Sequence, residues 1–202
     1  MPIETLYPIK ITDLDKAVAC LKDAFKNDPV WNAVFADDPN KDEALSAFYS
    51  CPILYGLKYG KVYADSENIN GVAVWLPKKY ANMGFWGMLR SGALKFGTKM
   101  DQTTMKKMSF ISKQLGKNRK KLMGNSHYYY LMIIGVHSDF QGKGIGSKLL
   151  DAIKEDCRNE YCQLFLETET EENVNFYTKN GFQLLNQLSL DHLNLPMWSL
   201  TY

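Results

Sequence analysis

Tyr128-Tyr129-Tyr130-Leu131-Met132-Ile133-Ile134-Gly135-Val136 is followed closely by Gln141-Gly142-Lys143-Gly144-Ile145-Gly146. The first run is apolar almost throughout, the pattern of a strand covered on both faces. The second places three glycines at alternate positions where an amphipathic segment begins. Leu149, Leu150 and Ile153 recur there at helical spacing, which predicts a helix over about 144–158. Glycine permits positive φ and close approach of a ligand to the backbone. Unpaired N–H groups at a helix start, backed by the helix dipole, form an anion site whose usual occupant is phosphate.

Two nucleotide motifs fail at this loop. A P-loop requires G-x-x-x-x-G-K-[ST], whereas Gly142-Lys143 is followed by Gly144. A Rossmann fingerprint requires G-x-G-x-x-G, and counting from Gly142 the last position is Ser147; no acidic residue ends a second strand in the expected context.

Downstream, Gln163 to Glu167 reads as a strand, Asn173 to Lys179 as a short helix closed by Asn180-Gly181, and Phe182–Gln187 and Met197–Tyr202 as final strands. Upstream, Pro8 confines Leu6–Ile9 to a sheet edge. Thr12 caps a helix carrying Ala17, Cys20, Leu21 and Phe25, which should stop near Asn27-Asp28-Pro29. A second helix is expected from Lys41 to about Tyr55. Gly60–Ala64 and Gly71–Leu76, joined by the polar turn Asp65–Asn70, read as a hairpin. Residues 81–125 change character: Val is absent, and Arg90, Lys95, Lys99, Lys106, Lys107, Lys113, Lys117, Arg119, Lys120 and Lys121 face only Asp101. Leu94, Met105, Met108 and Leu115 suggest amphipathic helices with basic outer faces, forming a solvated insertion, a cap over a cleft or a docking face.

At 202 residues the chain suits one domain spanning 1–202, with 81–125 as an insertion. A net charge of +2 gives no ground for a nucleic-acid or membrane partner. No run is long and apolar enough to span a bilayer, and the N-terminus lacks a signal-peptide pattern. Cys20, Cys51, Cys157 and Cys162 form no C-x-x-C pair and no zinc set, so they read as reduced structural thiols in a cytoplasmic setting, with no metal.

Gln141-x-x-Gly144-x-Gly146 after Ile134-Gly135-Val136 resembles the coenzyme A signature of the GCN5-related N-acetyltransferases. Leu166-Glu167-Thr168-Glu169, Asn173-Val174-x-Phe176-Tyr177 and Asn180-Gly181-Phe182 follow in the family's order, and Pro196-Met197-Trp198 resembles the branch that includes puromycin N-acetyltransferase. The likeness covers 128–202 closely and 1–80 loosely. It implies an α/β (α+β) fold: a mixed twisted sheet of six or seven strands flanked by helices, with the helical insertion before the central strand. It implies acetyl-coenzyme A as co-substrate and a primary amine of a small molecule as acceptor, in a monomer or homodimer. A protein amine acceptor and a non-catalytic coenzyme A sensor are the alternatives.

By the same resemblance, Ile134, Gly135 and Val136 offer main-chain groups to the pantetheine arm, Val136 N–H polarising the thioester carbonyl. Gln141, Gly142, Lys143, Gly144, Ile145, Gly146 and Ser147 surround the pyrophosphate, and Asn173 and Phe176 lie by the pantetheine. Tyr177 protonates the leaving thiolate. Glu167, ending a central strand, is the candidate base or amine-orienting group, and His127 reads as a turn residue. Trp31, Phe35, Trp75, Phe85 and Trp86 are candidates for an apolar acceptor pocket.

Overall fold

A computed structural model describes residues 2–202. Among them, seven strands form one mixed sheet: β1 (Tyr7–Pro8), β2 (Lys61–Ala64), β3 (Gly71–Pro77), β4 (Tyr128–Val136), β5 (Gln163–Thr168), β6 (Gln183–Leu190) and β7 (Leu195–Thr201). The spatial order is β1-β2-β3-β4-β5-β7-β6. Neighbours run antiparallel except β4 and β5, which are parallel. A parallel pair needs a long crossover. The helix that follows the glycine loop supplies it.

The helices are α1 (Leu14–Ala24), α2 (Pro29–Val34), α3 (Lys41–Tyr59), α4 (Phe85–Arg90), α5 (Leu94–Gly97), α6 (Gln102–Met123), α7 (Ile145–Asn159) and α8 (Glu171–Lys179). α1 and α3 cover one face of the sheet, burying Leu21, Tyr49 and Ile53 against Val62, Val72 and Val74. α7 covers the other, burying Leu149, Leu150 and Ile153 against Leu164, Leu166 and Leu200. β4 is thus covered on both sides, as its unbroken apolar run requires. Several elements outrun the expected bounds: α3 continues to Tyr59 through Pro52, and β6 to Leu190.

The basic insertion differs from a solvated appendage. Asp101 caps α6, its Oδ1 accepting the Thr104 N–H at 2.6 Å. Ile111 then packs with Met100, Val30, Phe35, Leu190 and Met197 in one buried cluster. One face of α6 is therefore core, and the lysines occupy the rest of its circumference.

The register between β4 and β5 ends early. Pairing runs from Tyr128 with Gln163 to Leu131 with Leu166, and β4 then continues to Val136 without that neighbour. Past Leu166, β5 stays with β7. The two central strands diverge, and the gap between them positions everything that follows.

Candidate active site

The gap opens beside main-chain groups of β4. His137 N–H bonds the Asn70 carbonyl at 2.9 Å, and Gly135 lies opposite Val72 on β3. Antiparallel alternation then turns the N–H groups of Ile134 and Val136 away from β3 and into the gap. Gly135 is there for packing: a β-carbon would come within 2.9 Å of Ala24 and 3.0 Å of Leu21, so its absence lets α1 sit close on the strand.

The strand end is pinned from two sides. Asp23 Oδ2 on α1 accepts the Ser138 N–H at 2.6 Å, and Lys26 donates to the Ser138 hydroxyl at 3.0 Å. The Ser138 N–H, and then Lys26, which also donates to Asp23 Oδ1 at 3.0 Å, hold the Asp23 carboxyl well below the usual range. Gln141 Nε2 donates to the Val136 carbonyl at 2.9 Å, so this motif residue ties the loop to the strand.

Gly142 and Gly144 have φ of +73° and +80°, and a side chain at either would meet no protein atom. Positive φ folds the loop back so that α7 starts facing the gap. Lys148 is the first residue of the helix to bond a carbonyl four back, that of Gly144, at 2.9 Å. The N–H groups of Ile145, Gly146 and Ser147 are thereby free for a ligand, and no acidic residue occupies the first turn. This cradle suits a pyrophosphate by charge, by donors and by space. Lys143 lies over the Phe140 ring at 4.8 Å, and Lys148 is tied to the Asp65 carbonyl at 3.0 Å. Gly146 brings α8 in: its β-carbon would lie 3.1 Å from the Phe176 ring.

α8 begins before Asn173, since Thr170 Oγ1 accepts the Asn173 N–H at 3.2 Å as its cap. Tyr177 is buried, with its ring edge-on to Phe176 at 5.3 Å and to Phe182 at 5.4 Å. Burial, then the nearby Glu169 carboxyl, push its hydroxyl pKa up, so it is fully protonated at neutral pH.

Glu167 is placed differently from the expected open cleft. Its side chain is 3% exposed and faces Arg119 of α6, itself 7% exposed, with Nη1 3.8 Å from Oε2. The guanidinium also lies over the Tyr130 ring at 3.9 Å. Neither Glu167 oxygen nor Arg119 Nη1 has a hydrogen-bond partner of good geometry. Burial raises the Glu167 pKa, and Arg119 opposes the rise. Arg119 had read as one more outward basic residue; it is the buried counter-ion of a central-strand carboxylate.

Two further acids sit at the gap, and neither was singled out from the sequence. Glu169 follows the end of β5, and burial together with Asp28 pushes its pKa up to about 8. Asp28 had read only as part of a helix stop. It caps α2, with Oδ1 accepting the Trp31 N–H at 2.9 Å, and burial raises its pKa as well. The Tyr49 hydroxyl is raised by burial and by both carboxyls, which brings α3 to the same place. Asp-Pro-x-Trp is a legible N-cap with Pro at N1, but no local pattern says what the cap faces.

The proposed aromatic pocket does not assemble. Trp75 is buried beneath α7, where Nε1 donates to Asp156 at 2.9 Å and Lys61 joins at 2.6 Å. That is the opposite face from α1 and α3. Phe35 is wholly buried in the α2–α6 cluster, and the Trp86 ring projects into solvent. Trp31, against Phe48 at 4.4 Å, remains beside Asp28. His127 uses its carbonyl to accept the Gln163 N–H. Among the described residues no cluster of His, Cys, Asp or Glu is arranged to hold a metal, and the four cysteines are free.

Residues 112–184 match the family model described as an acetyltransferase (GNAT) domain. An uncharacterized N-acetyltransferase of Schizosaccharomyces pombe is 25% identical over 197 residues, 94% of this chain and 79% of that one. A protein of Corynebacterium glutamicum described as a histone acetyltransferase and related acetyltransferase superposes with a TM-score of 0.64 at 22% identity, over 98% of this chain and 94% of its own. Drosophila melanogaster polyamine N-acetyltransferase, described as forming N-acetylagmatine, superposes with a TM-score of 0.62 at 13% identity, over 98% of both chains. The seven-stranded mixed sheet split between β4 and β5 is the GNAT fold, and the matched segment, residues 112–184, spans that split from α6 to β6.

Proposed function

We propose that the chain transfers an acetyl group from acetyl-coenzyme A directly to a primary amine of a small molecule, with Tyr177 as general acid. The observation that carries this reading is the pairing of free N–H groups on β4 with the unblocked glycine cradle at one gap, where Phe176 packs against Gly146 and brings α8, with its protonated Tyr177, onto the cradle's helix.

The coenzyme supplies an activated thioester. Ile145, Gly146 and Ser147 N–H groups hold its pyrophosphate, and Asn173 and Phe176 flank the pantetheine arm. Val136 N–H stabilises negative charge developing on the acyl oxygen, a role worth several kcal/mol in a site that excludes water. Tyr177 delivers its proton to the departing thiolate.

The amine must lose a proton to attack. Glu167 is less suited to take it, because Arg119 already holds that carboxylate. Glu169 suits the task better. An alkyl ammonium has a pKa near 10.4 and an ordinary Glu near 4.3, about 6 units apart, while a carboxyl at about 8 closes that gap to about 2. Asp28 and Glu169 also favour a cationic acceptor over a neutral one. The likeness of Pro196-Met197-Trp198 to the puromycin N-acetyltransferase branch supports a small-molecule acceptor.

The test is thiol release from acetyl-coenzyme A across polyamines, aminoglycosides, amino acids and peptides. A small cationic amine should support turnover. Turnover only with peptides would replace the acceptor class, and binding without turnover on any amine would mark a sensor.

A further inference from the structure

α4 rests on the outer side of α3. A β-carbon at Gly87 would come within 2.8 Å of the Tyr55 ring, so the helix is seated on its glycine and turns larger side chains outward. Phe85 is 61% exposed, Trp86 65% and Leu89 48%, with Met83 beside them. The Phe85 and Trp86 rings meet edge to face at 5.5 Å with no neighbour covering them. A contiguous apolar patch of this kind on a soluble surface marks a contact site.

The surrounding charge identifies what it contacts. Between Glu67 and Asp101 there is no acidic residue, while Lys78, Lys79, Arg90, Lys95 and Lys99 occur there. Residues 78–121 hold twelve of the chain's 24 basic residues and one of its 22 acidic ones. The net charge of +2 is therefore a cancellation between a strongly basic insertion and an acidic remainder, and it hides this segment. Lys78 is committed to the Gly124 and Ser126 carbonyls, and Lys99 to Glu43. Among the described residues Lys79, Arg90 and Lys95 have no acidic partner; two of them lie over Tyr80 and Phe96. Protein-binding surfaces favour Trp, Tyr, Phe, Met and Arg but are depleted in Lys, so Lys79 and Lys95 are what turn the reading from protein toward lipid. Exposed Trp, Phe and Leu flanked in sequence by basic side chains without acidic partners are what a membrane interface selects, with the aromatics at headgroup depth and the cations over anionic lipid.

We infer that residues 79–95 form a peripheral anchor for an anionic lipid surface: Met83, Phe85, Trp86 and Leu89 enter the interface while Lys79, Arg90 and Lys95 meet the headgroups. No helix among the described residues is long and apolar enough to cross a membrane, so contact would be with one leaflet only.

The test is co-sedimentation of the full chain with phosphatidylcholine vesicles, with and without phosphatidylserine, at low and high salt. Binding should require phosphatidylserine and weaken with salt. The triple variant Lys79→Gln/Arg90→Gln/Lys95→Gln should bind about a hundredfold more weakly, from about 1 kcal/mol per basic side chain near the surface. Phe85→Ser/Trp86→Ser should remove the binding that survives high salt. All five positions are exposed, and an unchanged melting curve confirms that the variants fold. Absence of sedimentation with phosphatidylserine vesicles would overturn the inference. So would binding to polyglutamate that matches vesicle binding and ignores Phe85→Ser/Trp86→Ser, because the face would then serve an acidic protein.

Discussion

Replacing Arg119 with Met removes the counter-charge of Glu167 while keeping most of the side chain's length. At 3.8 Å, with an effective dielectric near 20, two unit charges attract by about 4 kcal/mol. Loss of one partner from a buried pair costs about 3–5 kcal/mol by experience, because the other charge is left stranded. Against a total stability of about 5–15 kcal/mol this is a large fraction. Burial already holds the Glu167 pKa above its ordinary value, and Arg119 is what restrains it. In Arg119→Met it rises further. A carboxyl whose folded pKa lies above its unfolded one gains stability as pH falls through the folded value, since the folded state then binds the extra proton. The deficit of Arg119→Met should thus be greatest at mildly alkaline pH and shrink in acid. Urea unfolding of wild type, Arg119→Met, Glu167→Gln and the double variant, each at several pH values, measures it. The double variant should recover most of the loss. A deficit under about 1 kcal/mol at alkaline pH, the range of an exposed pair, would refute the reasoning. So would a deficit that ignores pH, or one that Glu167→Gln leaves untouched.

Two further predictions concern the chemistry. Tyr177→Phe should lower turnover about a hundredfold with little effect on coenzyme affinity, measured by thiol release and by direct titration. The rate should rise with pH through about 8 as Glu169 loses its proton, and Asp28→Asn should move that limb to lower pH by removing the carboxyl that helps hold Glu169 up; a limb that stays in place in Asp28→Asn would exclude their coupling.

The geometry of the proposed donor half was legible because it is local. A buried strand, alternate glycines and a helix start are neighbours in sequence, and Tyr177 lies a short strand and turn further on. The proposed acceptor half was not. Asp28, Tyr49 and Glu169 come from three distant segments, and what unites them is tertiary: α1 packed on β4 through Gly135, and β5 ending at the gap. Arg119 carries the same charge as the lysines around it, and only the packing of α6 against the sheet distinguishes it. Trp75 misled for the converse reason. An aromatic on a strand faces one side or the other, and its register with β4, together with Asp156, turns it beneath α7. The hairpin and the C-terminal strands were visible in outline, although not the insertion of β7 between β5 and β6, because strand order is set by long-range pairing.

The glycine cradle bears the central claim, and Gly144→Val tests it most directly. A side chain at Gly144 would meet no protein atom, so the cost to folding is backbone strain alone, about 1–2 kcal/mol for an ordinary residue at positive φ and more for β-branched valine, while the valine fills the space a pyrophosphate needs. Calorimetric titration with coenzyme A should show binding to the wild type and none to Gly144→Val, with both chains melting as folded proteins. Equal affinity in the two would contradict the assignment of this loop.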